Sequence, residues 1–217
     1  MFRAAGVASV IAGVLLGAGH LLFALYVPVD GAARAERHSL VVIVGTMWLT
    51  GHLAMAPGLI GIYSRRLRQT GLPGGIGLAL CVGGTLGLTA FVFQLFPELI
   101  GRRVDTFQEM QVALLLQAIG ELSATSLLFG ILLFGSATEL SRRCPPGAGV
   151  PLVAGALLAA LGLLNEDALT IGALIVSAGL IYLGTALTLE KAPRKRLLLK
   201  RRPAAQRRFS RFWARER

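Results

Sequence analysis

The sequence predicts an all-α, polytopic integral membrane protein with six transmembrane helices and a basic C-terminal tail. Three observations support this fold class. Of the 217 residues, 54% are hydrophobic and 15% are charged, whereas about a quarter of the residues of a soluble domain are charged. Six apolar stretches approach or exceed the ~20 residues that a helix needs to cross ~30 Å of hydrocarbon. The formal net charge of +11 lies in the last segment of the chain.

The six predicted spans follow from the apolar runs and from the polar residues that interrupt them. In order they are Ala4–Val27, Ser39–Tyr63, Leu72–Phe96, Met110–Gly135, Gly149–Leu164 and Ala168–Leu189. The first run exceeds twenty residues and is longer than the ~7–15 apolar residues of a signal peptide, so we expect a retained helix.

The later spans differ in what they contain. The second includes Pro57, which removes one helical hydrogen bond, and the third begins in a glycine-rich stretch. The fourth carries Glu121 within its apolar run. The fifth is short, and Pro151 is expected in its first turn, where proline is tolerated. Residues 165–167, Asn-Glu-Asp, then join the last two spans in a tight helical hairpin.

The distribution of basic residues predicts the orientation. With six spans, eighteen Lys and Arg residues fall on one side of the membrane and four on the other. Because cytoplasmic loops are enriched in Lys and Arg, we expect both termini to be cytoplasmic. Residues 1–190 then form the transmembrane domain, and residues 191–217 form a basic amphipathic cytoplasmic tail.

Four polar residues at membrane depth form the predicted intramembrane site: His20, His52, Gln117 and Glu121. Counting ~1.5 Å per helical residue places His20 level with Gln117, and His52 level with Glu121. Gln117, Glu121 and Thr125 recur every four residues, so they share one helix face. We therefore expect a polar cluster that joins the first, second and fourth helices.

Three functions remain open for this cluster. A protonated Glu121 bonded to His52 or to a main-chain carbonyl would fix helix register and have no further role. His20 or His52 would hold a single-histidine haem or a chlorophyll-type pigment, although no cofactor is the leading expectation. Glu121 and His52 would act as relay groups of a small transporter or proton path, since ionisable residues inside membranes often mark such paths.

Small residues at four-residue spacing predict close helix contacts. Gly13 and Gly17 form such a face in the first span, as do Gly83 and Gly87 in the third. These faces let helix backbones approach each other where no hydrophobic force drives association.

The tail combines basic and aromatic residues directly after the last span. This composition is typical of interfacial segments that bind anionic lipid, and it also suits docking on a partner subunit. Nucleic-acid binding is less favoured, because the tail is tethered to the bilayer. The predicted docking residues are Arg194, Lys195, Arg196, Lys200, Arg201, Arg202, Arg207, Arg208, Phe209, Arg211, Phe212 and Trp213.

Two stretches, Pro57–Phe93 and Leu127–Leu164, resemble segments of small multi-helix bacterial inner-membrane proteins of uncharacterised function. In the first stretch, a Gly-x-Tyr-x-Arg sequence precedes a glycine-rich span. The resemblance implies a bacterial inner-membrane location and similar spans, and it assigns no catalytic residue.

The sequence lacks the usual signatures of catalysis. It contains no P-loop, no H-E-x-x-H and no G-x-S-x-G, and its two cysteines fit neither a disulfide framework nor a zinc site. We therefore expect a non-catalytic accessory or assembly subunit of a larger membrane complex.

Overall fold

The computed structural model describes residues 2–26, 38–67, 71–99, 107–141, 144–162 and 166–189. The predicted docking residues of the tail, 194–213, lie outside the described residues. Within the described part the chain forms six α-helices and no strand. A helix bonds its own backbone N–H and C=O groups, which is what an apolar solvent requires of a spanning segment.

The six helices follow the order of the predicted spans. They are α1 (Phe2–Tyr26), α2 (His38–Ile62), α3 (Leu72–Leu99), α4 (Phe107–Leu140), α5 (Val150–Leu161) and α6 (Glu166–Leu189), and a single π-helical turn, Tyr63–Leu67, follows α2. The all-helical prediction is confirmed.

Five of the described helices, all except α5, are long and apolar enough to cross a membrane. Helix α5 has 12 residues, or about 18 Å at 1.5 Å per residue, which is shorter than the ~30 Å of a hydrocarbon layer. Pro151 lies in its first turn, as predicted. Helix α4 begins three residues earlier than predicted and ends five residues later.

The helices pack in chain order around a closed ring. Each of α1 to α5 contacts the next helix, and α6 packs against α1. A methyl group added at Gly6 would meet the Gly184 carbonyl oxygen at 2.8 Å, so the start of α1 and the end of α6 lie at the same end of the bundle.

The interior of the ring is filled by apolar side chains from all six helices. The fully buried ones concentrate in the half of the bundle where α1 begins: Met55, Leu59, Ile62, Phe134, Leu152, Leu180, Leu183 and Leu187. Cys81 and Cys144 are both buried, and no disulfide joins them.

Helix α1 packs on both neighbours through small residues. A methyl group added at Gly13 would lie 2.6 Å from the Ser177 carbonyl oxygen of α6, and one added at Gly17 would meet the Ser177 side chain. On the other side, Gly58 of α2 lies against Ser9. The Ser9 hydroxyl donates to the Leu180 carbonyl oxygen over 2.9 Å. Gly13 and Gly17 therefore lie on the face of α1 that contacts α6.

The contact between α3 and α4 uses Gly87 of the predicted pair, but Gly84 in place of Gly83. A methyl group at Gly84 would lie 2.6 Å from both the Ser123 carbonyl oxygen and the Leu127 nitrogen. Gly87 faces the Ser123 side chain, whereas Gly83 is exposed and has open space beside it. One residue is about 100° of helix rotation, which is enough to turn Gly83 away from α4.

The part of α4 that extends beyond its predicted end contains Glu139, which binds the segment before α5. The Glu139 carboxylate accepts hydrogen bonds from the Gly147 and Gly149 amides, at 3.2 and 3.1 Å. Gly149 is the N-cap residue of α5 and has no side chain that could cap the helix itself. Glu139 thus orders the α4–α5 junction, and it lies on the side of α4 that faces the start of α5.

The α3–α4 contact predicts opposite effects at two adjacent glycines. Gly84→Ala forces a methyl group against main-chain atoms, so we expect a loss of about 1–3 kcal/mol of stability. Gly83→Ala meets open space, and because alanine is the better helix former we expect no loss and a gain of up to about 1 kcal/mol. Thermal unfolding of both variants in one detergent measures the difference, and equal effects would contradict this packing.

Candidate functional site

His20 and His52 share one structural feature at the α1–α2 contact. In each, Nδ1–H donates to the main-chain carbonyl oxygen four residues earlier: Leu16 for His20 and Trp48 for His52, both at 2.8 Å. A carbonyl oxygen only accepts hydrogen bonds, so the proton lies on Nδ1 and each Nε2 presents a lone pair. The side chain of His52 is buried, and that of His20 is half-buried.

Trp48 joins this region and was not singled out from the sequence. Its ring lies 5.2 Å from the His20 ring and 5.2 Å from the Phe23 ring, centroid to centroid. It packs over Gly19, which leaves room for the indole. The indole N–H is buried and has no hydrogen-bond partner among the described residues. The sequence signal that could have pointed to Trp48 is its position one helical turn before His52.

Gln117 and Glu121 lie elsewhere, on the surface of α4. The Gln117 Nε2–H donates to Glu121 Oε1 over 3.0 Å, and the Thr125 hydroxyl donates to the Glu121 carbonyl oxygen over 2.8 Å. All three side chains are exposed. We call Gln117, Glu121 and Thr125 the polar face of α4.

The surroundings of the polar face are apolar. Leu122 is 72% exposed and Leu114 is 60% exposed, and both belong to the long apolar span Leu114–Leu140. Glu121 is seven residues inside that span, or about 10 Å along the helix axis. The hydrogen bond from Gln117 is the single interaction of its carboxylate among the described residues.

The structure therefore divides the predicted cluster into two pairs, and the two pairs lie apart from each other. His20 and His52 face the α1–α2 contact with Trp48, and Gln117 and Glu121 pair on α4. The main packing partners of α4 are α3 and α5, rather than α1 or α2. In this arrangement Glu121 is directed to the outside of the ring, whereas His52 is buried within it.

Two further features of the described residues offer little chemistry. A cavity of about 520 Å³ opens beside the π-helical turn, and Tyr63 provides the one polar side chain among its lining residues: Tyr63, Gly71, Leu72, Gly75, Ile76 and Ala79. No group of three or more His, Cys, Asp or Glu side chains in the described part of the chain is arranged to hold a metal ion.

Comparison of the chain with protein-family models, curated proteins and solved structures gives no match.

The buried indole N–H predicts the outcome of two substitutions at Trp48. Trp48→Phe keeps a ring against His20 and removes a donor whose burial costs about 1–3 kcal/mol, so we expect a net loss below about 1.5 kcal/mol. Trp48→Ala removes the ring and is expected to cost about 3–5 kcal/mol. Unfolding midpoints of both variants test this; equal losses would mean that the N–H bonds to a group outside the described residues.

Proposed function

We propose that this protein is a non-catalytic accessory or assembly subunit of a larger membrane protein complex. The polar face of α4 carries this proposal. A hydrogen-bonded carboxylate and amide lie exposed at membrane depth, surrounded by leucines, on the outside of a ring whose interior is already filled.

The cost of leaving this face in lipid is what favours a partner. An ionised carboxylate at the centre of a membrane helix costs on the order of 3 kcal/mol on insertion scales. One hydrogen bond from Gln117 offsets part of this, since a hydrogen bond to a charged group contributes about 1.5–3 kcal/mol. The second carboxylate oxygen has no hydrogen bond among the described residues. A second membrane protein that covers the face removes the remaining cost.

The basic tail and the orientation belong to the same proposal. With both termini in the cytoplasm of a bacterium, residues 191–217 lie beside the inner leaflet of the cytoplasmic membrane. Each Lys or Arg near an anionic surface contributes about 1 kcal/mol of attraction. The tail then holds the subunit on anionic lipid or on an acidic face of its complex, and the helices provide the contact within the membrane.

Native mass spectrometry of the protein, extracted gently from its own membrane, tests the proposal. We expect masses that include companion subunits, and we expect Glu121→Leu to lower their occupancy at least several-fold. Leu86→Ala is the control, because Leu86 is exposed on α3. A chain without companions under conditions that preserve other complexes would contradict the proposal.

A proton path through Glu121 and His52 is less well supported by this geometry. A direct relay needs the two side chains within reach of each other or of a bridging water, but α2 and α4 are not neighbours in the ring. Glu121→Gln keeps the shape of the side chain but cannot carry a proton, so it abolishes the proton flux of a proton path, whereas an accessory subunit shows no proton flux in vesicles with either residue.

A second candidate function is haem or pigment binding through one histidine. The observation that favours it is the hydrogen bond from each Nδ1–H to a main-chain carbonyl, which fixes the ring and directs the Nε2 lone pair away from the helix, as in metal-ligating histidines.

Titration of the purified protein with haemin distinguishes this candidate. Coordination by one histidine predicts a saturable shift of the Soret band that is lost in either His20→Ala or His52→Ala and kept in the other. A shift that never saturates, or that survives both substitutions, would eliminate the second candidate and leave the accessory role unaffected.

A further inference from the structure

The length of α5 explains why the polar face of α4 is uncovered. Glu121 and Glu139 are 18 residues apart in one helix, which is about five whole turns, so both side chains lie on the same face about 27 Å apart. Glu139 caps the segment at the start of α5. Helix α5 begins there and contacts α4 at Gly135, one turn before Glu139.

Helix α5 ends before it reaches Glu121. Its 12 residues extend about 18 Å, roughly 9 Å less than the separation of the two glutamates. Gly162 follows, packed against Leu169 of α6, so the end of α5 lies level with the first turns of α6. Beyond the end of α5, the face of α4 continues with Thr125, Glu121 and Gln117, all exposed.

The space beside the polar face is where a helix longer than α5 would lie. Where α5 is present, it covers the same side of α4 by direct backbone contact at Gly135 and Gly149. Where α5 is absent, an apolar surface with Leu114, Leu115 and Leu122 surrounds a carboxylate. A helix packed there would continue the cover that α5 provides, and the single charged group determines which kind of helix.

We propose that the polar face of α4 binds a transmembrane helix of a partner protein that carries one lysine or arginine at the depth of Glu121. Charge complementarity supports this occupant. Glu121 has no ion pair among the described residues, and Gln117 already fixes one carboxylate oxygen. The free oxygen accepts a hydrogen bond from the cationic group, and the pair carries no net charge into the hydrocarbon.

A second copy of this chain satisfies the face less well. In a parallel two-fold dimer the same residues face each other at equal depth, which places Glu121 opposite Glu121. Two carboxylates that face each other across a helix contact do not both stay ionised. This inference rests on the proposed accessory function and adds the chemistry of the partner.

The test uses the purified full chain in vesicles of neutral phosphatidylcholine and two synthetic probe helices. One is a leucine-rich peptide of about 21 residues, the length of one span, with a single lysine one third of the way along. The other has leucine at that position. Energy transfer between labelled protein and labelled peptide reports association. We expect the lysine peptide to bind wild-type protein at least tenfold more tightly than the leucine peptide.

Two variants separate this site from any exposed carboxylate. Glu121→Gln removes the charge, and we expect it to abolish the preference for lysine. The double variant Glu121→Leu with Leu122→Glu has the same composition as the wild type but turns the carboxylate by about 100°, away from Gln117. We expect at least tenfold weaker binding of the lysine peptide to it. Both positions are exposed, so folding is preserved, and unfolding midpoints confirm this.

The other outcomes overturn the proposal. Equal binding of both peptides means that apolar packing alone covers the face. Equal binding by the double variant means that position on the helix is irrelevant. Self-association of the chain that depends on Glu121, without peptide binding, identifies a second copy as the occupant. This result is independent of native mass spectrometry. If native mass spectrometry finds companion subunits but the peptides show no preference for lysine, the accessory role stands and the proposed chemistry of the partner is wrong.

Discussion

Close approach of helix backbones is the constraint on which the rest of this structure depends. Lipid tails are as apolar as leucine, so helices in a bilayer associate by packing and hydrogen bonding rather than by the hydrophobic effect. In this chain the contacts lie where a side chain would not fit, as at Gly13 beside Ser177 and at Gly84 beside Leu127. Interhelical hydrogen bonds such as Ser9 to Leu180 become possible because the backbones are that near.

The same constraint determines where polar groups are exposed. The interior of the ring is filled at one end by side chains such as Phe134 and Leu183. Helix α5 covers α4 only as far as its 12 residues extend. The carboxylate of Glu121 lies past that limit, whereas that of Glu139, five turns later, caps a loop. Two glutamates on one face thus have different roles because a short helix covers one end of that face.

Composition and hydropathy were sufficient to predict the helices, because apolar runs of this length have few alternatives in a membrane. The rotation of each helix was not predictable in the same way. Gly83 and Gly84 differ by one position, and the spacing rule that selected Gly83 contains no information on which side α4 lies. Pairing His52 with Glu121 by depth had the same limitation, since depth ignores the order of helices around the ring. The short length of α5 was visible in the sequence, but its consequence for Glu121 required the contact at Gly135.

The ring has one closure between elements distant in the chain, where α6 meets α1. Apart from a small contact between α6 and α2, the other main helix–helix contacts join consecutive helices, so they form in the order in which a ribosome delivers them. The face of α1 around Gly13 therefore stays without its partner until α6 enters the bilayer. A chain that stops short of α6 exposes a helix surface shaped for close backbone contact, and this makes α1 the segment through which an unfinished chain is recognised or misassembled.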